Sequence, residues 1–147
     1  MTLLLMINIK TLLLLAVITI IAVSCARFLS RGGNNNNPQL PPPFITVGVE
    51  EFQNLIADPA VQLLDVREQD EYDNGHIAGA KLVDVNGSDF LDKALAVLDP
   101  ARPVAVYCRS GCRSARAASL LADKGFSVTN LDGGVLAWQD AGKALIR

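Results

Sequence analysis

Two segments with almost no polar residue, Val61-Gln62-Leu63-Leu64-Asp65-Val66 and Val104-Ala105-Val106-Tyr107, limit the fold of this chain more than any other feature. A strand solvated on one face alternates apolar and polar residues, whereas a strand covered on both faces reads as a near-continuous apolar run. Both segments are therefore predicted to be central strands of a parallel sheet with helices on either side. Weaker strand signals lie at residues 45–47, 81–83 and 127–131. Helical patterns occupy residues 49–56, 87–98 and 114–124, the second with Phe90, Leu91, Ala94, Leu95 and Leu98 on one face. Ser114 reads as the N-cap of the third helix and Gly125 as its C′ residue. Strands and helices alternating with short links predict an α/β layered domain over residues 44–147. In such a domain ligands collect where the carboxyl end of a strand meets the next helix.

One stretch at such a junction carries chemistry: Cys108-Arg109-Ser110-Gly111-Cys112-Arg113-Ser114. A turn of small residues can aim successive backbone N–H groups inward, and the start of the following helix adds positive potential at the same place. A thiol ringed by donors ionises more readily than a free cysteine, because the donors stabilise the thiolate. Arg109 and Arg113 add charge of the same sign. The stretch reads as a cradle for an anionic sulfur and for the anion it meets; a merely buried, inert cysteine is the alternative.

Composition removes other classes of function. Thirteen lysines and arginines against fifteen aspartates and glutamates give a net charge of −2, which offers no broad basic surface for nucleic acid. Three cysteines are too few for a disulfide-framed miniprotein, and their spacing suits no structural zinc site. With His76 the single histidine, metal-assisted hydrolysis is not expected, and no metal site is assigned.

Residues 1–24 differ from the rest: Leu12 to Val23 is apolar except for Thr19, behind Lys10 as the only charge. That pattern predicts a signal peptide. Its end, Ala22-Val23-Ser24-Cys25, resembles the lipobox of bacterial lipoproteins, with Ala22 where leucine is more usual, and this implies lipid attachment at Cys25. An uncleaved anchor and simple cleaved secretion are the alternatives. All three export the domain; with lipid at Cys25 or an uncleaved anchor, the expected location is membrane-held, facing the periplasm or the cell exterior. Residues 25–43, rich in asparagine, glycine and proline, cannot bury apolar area and are expected to form a tether.

Three ordered motifs within residues 44–147 resemble a single-domain rhodanese. Leu64-Asp65-Val66-Arg67-Glu68-Gln69-Asp70-Glu71-Tyr72-Asp73-Asn74-Gly75-His76-Ile77-Ala78-Gly79-Ala80 is similar to the first signature of that family, with Ala78 in place of its usual proline. The Cys108 to Ser114 stretch matches the active loop, and Asn130-Leu131-Asp132-Gly133-Gly134-Val135-Leu136-Ala137-Trp138 matches the C-terminal signature. The resemblance implies a three-layer α/β/α fold around a five-stranded parallel sheet. It also implies a double displacement through a persulfide on Cys108. The donor is a small sulfur-containing anion such as thiosulfate, the acceptor is cyanide in an assay and a thiol or protein in life, and no cofactor is required. From Cys108 to Arg113 the loop has the C-x4-R length of sulfurtransferases, one residue shorter than the C-x5-R ring of related phosphatases and arsenate reductases. A non-catalytic sulfur carrier or protein-binding module on the same fold is the alternative.

Carried onto this chain, the resemblance makes Cys108 the nucleophile and Arg109, Ser110, Gly111, Cys112, Arg113 and Ser114 the substrate-binding loop. Arg113 is expected to orient an oxyanion, with Arg109 as an outer guide. Asp65 and Arg67 share a face at the end of a core strand and are expected to brace the loop as a buried pair or hydrogen-bond network, a functional place at the pocket rim being the alternative. His76 is assigned to structural support, Trp138 to the core, and Asp132-Gly133-Gly134 to a turn passing close to the active loop. Cys112 is either a redox or relay partner of Cys108 or an exposed side chain at the mouth.

Overall fold

The computed structural model describes residues 43–147. The expected signal segment 1–24, Cys25 and the tether up to residue 42 lie outside the described residues. Five strands, β1 (Ile45–Val47), β2 (Gln62–Asp65), β3 (Lys81–Leu82), β4 (Val104–Tyr107) and β5 (Val128–Leu131), form one sheet in the order β1-β5-β4-β2-β3. Every pairing is parallel. Among the described residues five helices accompany them: α1 (Val49–Ile56), α2 (Gln69–Asp73), α3 (Phe90–Val97), α4 (Cys112–Ala122) and α5 (Gly134–Asp140). Among the described residues no helix is long and apolar enough to cross a membrane.

The unbroken apolar runs sit where two covered faces demand them, since every residue of β2 and of β4 is buried. Two-residue alternation then sorts the core into two layers. Leu64, Val66, Val104, Val106, Cys108 and Val128 pack with Phe90 and Ala94 of α3 and Ala117, Ala118 and Leu121 of α4. Leu63, Ala105, Tyr107 and Leu131 pack with Phe52 of α1 and Val135 and Trp138 of α5. Phe52 and Trp138 meet edge to face at 6.4 Å between centroids, and the Trp138 indole N–H donates to the Ala144 carbonyl at 3.0 Å. Register sets the site: Asp65 stands beside Tyr107 at the carboxyl end of the two central strands, with Cys108 one residue beyond.

Several boundaries differ from the sequence reading. Helix α4 begins at Cys112, two residues before the expected start, because Gly111 adopts φ +94° and turns the strand exit directly into the first helical turn. Ser114 is therefore inside the helix and does not cap it. At the other end Asp123 is the C-cap, so Gly125, at φ +89°, stands one position beyond the expected C′. Helix α3 starts at Phe90 because residues 87–89 form the turn that leads into it. Helices α2 and α5 were not expected, being too short to show an apolar stripe.

Phe52 is fully buried between α1 and the sheet. Phe52→Ala is expected to cost about 3–5 kcal/mol of unfolding free energy in a denaturant titration, with Trp138 fluorescence as the probe.

Candidate active site

Strand β4 delivers Cys108 to the start of α4, and the sulfur receives two hydrogen bonds there. The Gly111 N–H donates at 3.2 Å and the Ser114 hydroxyl at 3.4 Å. The same hydroxyl lies 3.0 Å from the Gly111 carbonyl, so its single proton is shared between that oxygen and the sulfur. These groups belong to the first turn of a helix, whose N–H groups have no intrahelical acceptor and carry the positive end of the helix dipole.

The loop is held from behind by the Gly133-Gly134 turn. Val135 N–H donates to the Cys108 carbonyl at 2.8 Å, and Leu136 N–H to the Arg109 carbonyl at 3.1 Å. With these carbonyls engaged on the α5 side, the following amide groups are free to face the sulfur. Gly134, at φ +59°, permits this contact: a Cβ there would stand 2.5 Å from the Cys108 carbonyl oxygen.

Burial of Cys108 pushes its thiol pKa up, since a thiolate loses hydration there. The Ser114 hydroxyl and the N–H groups of Ser114, Ser110 and Gly111 outweigh that cost, and the net shift is downward. The sulfur is nevertheless fully buried.

Arg113, the residue expected to orient an oxyanion, is paired with a carboxylate that the sequence reading did not assign to it. Its Nη1 donates to Glu71 Oε2 at 2.7 Å and its Nη2 to Glu71 Oε1 at 2.8 Å. Glu71 also accepts the Glu68 N–H at 3.3 Å, which ties α2 to α4 through one carboxylate. The pair holds the Glu71 carboxyl below the ordinary carboxylate range, mainly through the hydrogen bonds from Arg113, and it raises the Arg113 guanidinium by the same bonds. Arg109 is exposed, and it lines a pocket of about 250 Å³ with Arg67, Glu71, Val135, Leu136 and Leu145. Cys112 is an exposed thiol at the first position of α4, and both it and Cys108 are free.

On the opposite face of the sheet, Arg67 is buried against Asp65. Arg67 Nη2 stands 2.6 Å from Asp65 Oδ2, and its Nε lies 2.9 and 3.0 Å from the two carboxylate oxygens. Nη2 also donates to the Gly75 carbonyl at 2.9 Å, and the guanidinium lies 5.6 Å from the Tyr107 ring centroid. Burial opposes the charged form of Arg67, but the hydrogen bond and charge of Asp65 prevail and raise it. Tyr107 accepts the Ile77 N–H at 3.0 Å, and burial, followed by the Asp65 charge, keeps its phenol protonated. His76 stacks on Tyr72 with ring centroids 3.6 Å apart, its Nδ1 donating to the Tyr72 carbonyl at 3.0 Å, while its backbone pairs with Ile146.

Sequence reasoning missed Glu71, whose partner is forty-two residues away. Its spacing three residues after Glu68 signals a helix start but says nothing of Arg113. The apolar wall of Leu136 and Leu145 was missed too, since single exposed or half-buried leucines carry no signal.

A family model described as "Rhodanese-like domain" matches residues 48–141. The chain is 36% identical over 100 residues to thiosulfate sulfurtransferase GlpE of Shewanella oneidensis, covering 67% of this chain and 95% of that protein. It is also 36% identical over 108 residues to thiosulfate sulfurtransferase 18 of Arabidopsis thaliana, covering 65% and 79% of the two chains. Among solved structures, a rhodanese-related protein from Thermoplasma volcanium superposes with a TM-score of 0.62 at 27% identity, over 70% of this chain and 98% of the other.

Ser114→Ala removes the largest of the groups that lower the Cys108 pKa. The thiolate ultraviolet absorbance of Cys108, taken as a difference from Cys108→Ser, is expected to appear at higher pH in this variant. An unchanged midpoint would show that the hydroxyl does not stabilise the thiolate.

Proposed function

The chain belongs to the rhodanese-like family, and from that premise we propose that it is a sulfurtransferase working through a persulfide on Cys108. The carrying observation is the buried sulfur of Cys108 facing the Gly111 N–H and the Ser114 hydroxyl at the start of α4. The Cys108 thiolate attacks the outer, sulfane sulfur of a donor such as thiosulfate. A new S–S bond forms, the donor's own S–S bond breaks, and its electron pair leaves on sulfite. The persulfide anion then occupies a cradle whose donors are already oriented, so its charge is stabilised without reorganisation. A thiol, a protein thiol or cyanide removes the outer sulfur and restores the thiolate.

The buried Asp65–Arg67 pair and Tyr107 act as braces beneath this loop, and His76 anchors the segment that follows α2. The export and membrane attachment of the protein, through lipid on Cys25 or an uncleaved anchor, form part of the same proposal and rest on the sequence of residues 12–25 alone. The full burial of Cys108 favours a second reading, a sulfur carrier or docking module without turnover.

Full-length protein treated with thiosulfate is expected to gain the mass of one sulfur atom, located at Cys108 after digestion. Cyanide is expected to release it as thiocyanate over many cycles, and Cys108→Ser to do neither. A single release without turnover would favour the carrier. No sulfur gain from thiosulfate, organic thiosulfonates or low-molecular-weight persulfides would overturn the proposal.

A further inference from the structure

The fold treats the three arginines around the Cys108 loop differently. Arg67 is neutralised by the buried Asp65 and Arg113 by the bidentate contact with Glu71. Arg109 is exposed, and among the described residues no carboxylate pairs with it. Arg67, Glu71 and Arg109 line one pocket next to the Cys108 loop, so among the described residues its rim carries two closed ion pairs and one open cation.

The Glu71–Arg113 pair is placed where its charge matters. Arg113 is close enough to Cys108 for the two charges to act on each other. The side chains of Arg113 and Glu71 are about a quarter exposed, at 26% and 23%, so screening by solvent weakens their fields without abolishing them. A third contact, from the Glu68 N–H, fixes the carboxylate in position. The rest of the pocket wall mixes an apolar patch of Val135, Leu136 and Leu145 with Asn74, Gly75 and Gln139.

We propose that Glu71 determines the charge preference of the sulfur-donor site: by closing Arg113 it leaves Arg109 as the single open cation, which suits a singly charged donor with an organic group, such as a thiosulfonate, better than doubly charged thiosulfate. This inference rests on the reading of Cys108 as the sulfur acceptor. The organic group packs against the patch of Val135, Leu136 and Leu145, contacts from which thiosulfate gains nothing. The chemistry is the same for both donors. The Cys108 thiolate bonds to the sulfane sulfur, and the electron pair of the broken S–S bond leaves on a sulfinate from a thiosulfonate or on sulfite from thiosulfate. One thiolate and one donor anion yield one persulfide anion and one leaving anion of the donor's charge, with no outside oxidant or reductant.

The test compares kcat/KM for thiosulfate and methanethiosulfonate in the full chain, with cyanide as acceptor. Glu71→Gln frees Arg113 and is expected to raise the thiosulfate-to-methanethiosulfonate ratio about fivefold, mostly through KM and less at high salt. Arg113→Gln leaves Glu71 unpaired and is expected to lower the ratio by a similar factor. The double variant Glu71→Gln/Arg113→Gln, again without net charge, is expected to return to the wild-type ratio. A pair serving only as a brace would slow both donors alike. Unchanged ratios, or shifts of the same sign in the two single variants, would therefore overturn the inference while leaving the sulfurtransferase reading intact. Where thermal melting shows one single variant unfolded, the other single variant and the double variant decide by the sign of their difference. Wild-type protein that takes sulfur from neither donor would bring down the sulfurtransferase reading itself.

Discussion

The site depends on which way the peptide groups after Cys108 are turned. Two of their carbonyls, those of Cys108 and Arg109, are held by the N–H groups of Val135 and Leu136. The next amides are then available to the sulfur, with the Gly111 N–H at 3.2 Å. A buried thiolate lacking such donors would be driven back to the neutral thiol by loss of hydration. The chemistry of Cys108 is thus decided partly by the docking of α5, an element that offers the sulfur no side chain. The glycines at the contact are the geometric condition: Gly134 has backbone where a Cβ would have to stand, and Gly111 has the Gly133 nitrogen 3.2 Å from its absent Cβ.

Beneath the loop, period-two alternation separates bracing from chemistry. Cys108 follows the even residues of β4 into the layer of α3 and α4, whereas Asp65 and Tyr107 belong to the face of α1 and α5. The Asp65–Arg67 pair, the Gly75 carbonyl and the Tyr107 ring fill that second face at the carboxyl ends of β2 and β4. Removing one partner of a pair this buried would strand the other charge, so the cluster resists piecemeal change. The Glu71–Arg113 pair differs in being partly solvated. Its Coulomb energy is smaller, and its importance lies in how much positive charge it leaves at the mouth.

Elements with a strong local pattern were legible. Residues 45–47, 49–56 and 104–107 match β1, α1 and β4, and β2, β3 and β5 differ from their expected bounds by a residue or two. The strand-to-helix position of Cys108 and the nearness of the Gly133-Gly134 turn could also be read from the chain. Helices α2 and α5 could not. Gln69-Asp70-Glu71-Tyr72-Asp73 has no buried side chain to create a period, and α5 buries only Gly134, Val135 and Trp138. Ser114 was misread because serine before an apolar stripe usually caps a helix, whereas here a left-handed glycine had already turned the chain.

By itself the sequence determined the layered α/β domain, because an apolar run without alternation is stable only when both faces are covered. It also determined that a cysteine with small neighbours would end a central strand. Only the tertiary structure decided which arginine remains open. Glu71 and Arg113 are distant along the chain and lie on different helices, and no local pattern records their pairing. Charge at the mouth is a sum over groups brought together by folding, so it is set in space and has no counterpart along the chain.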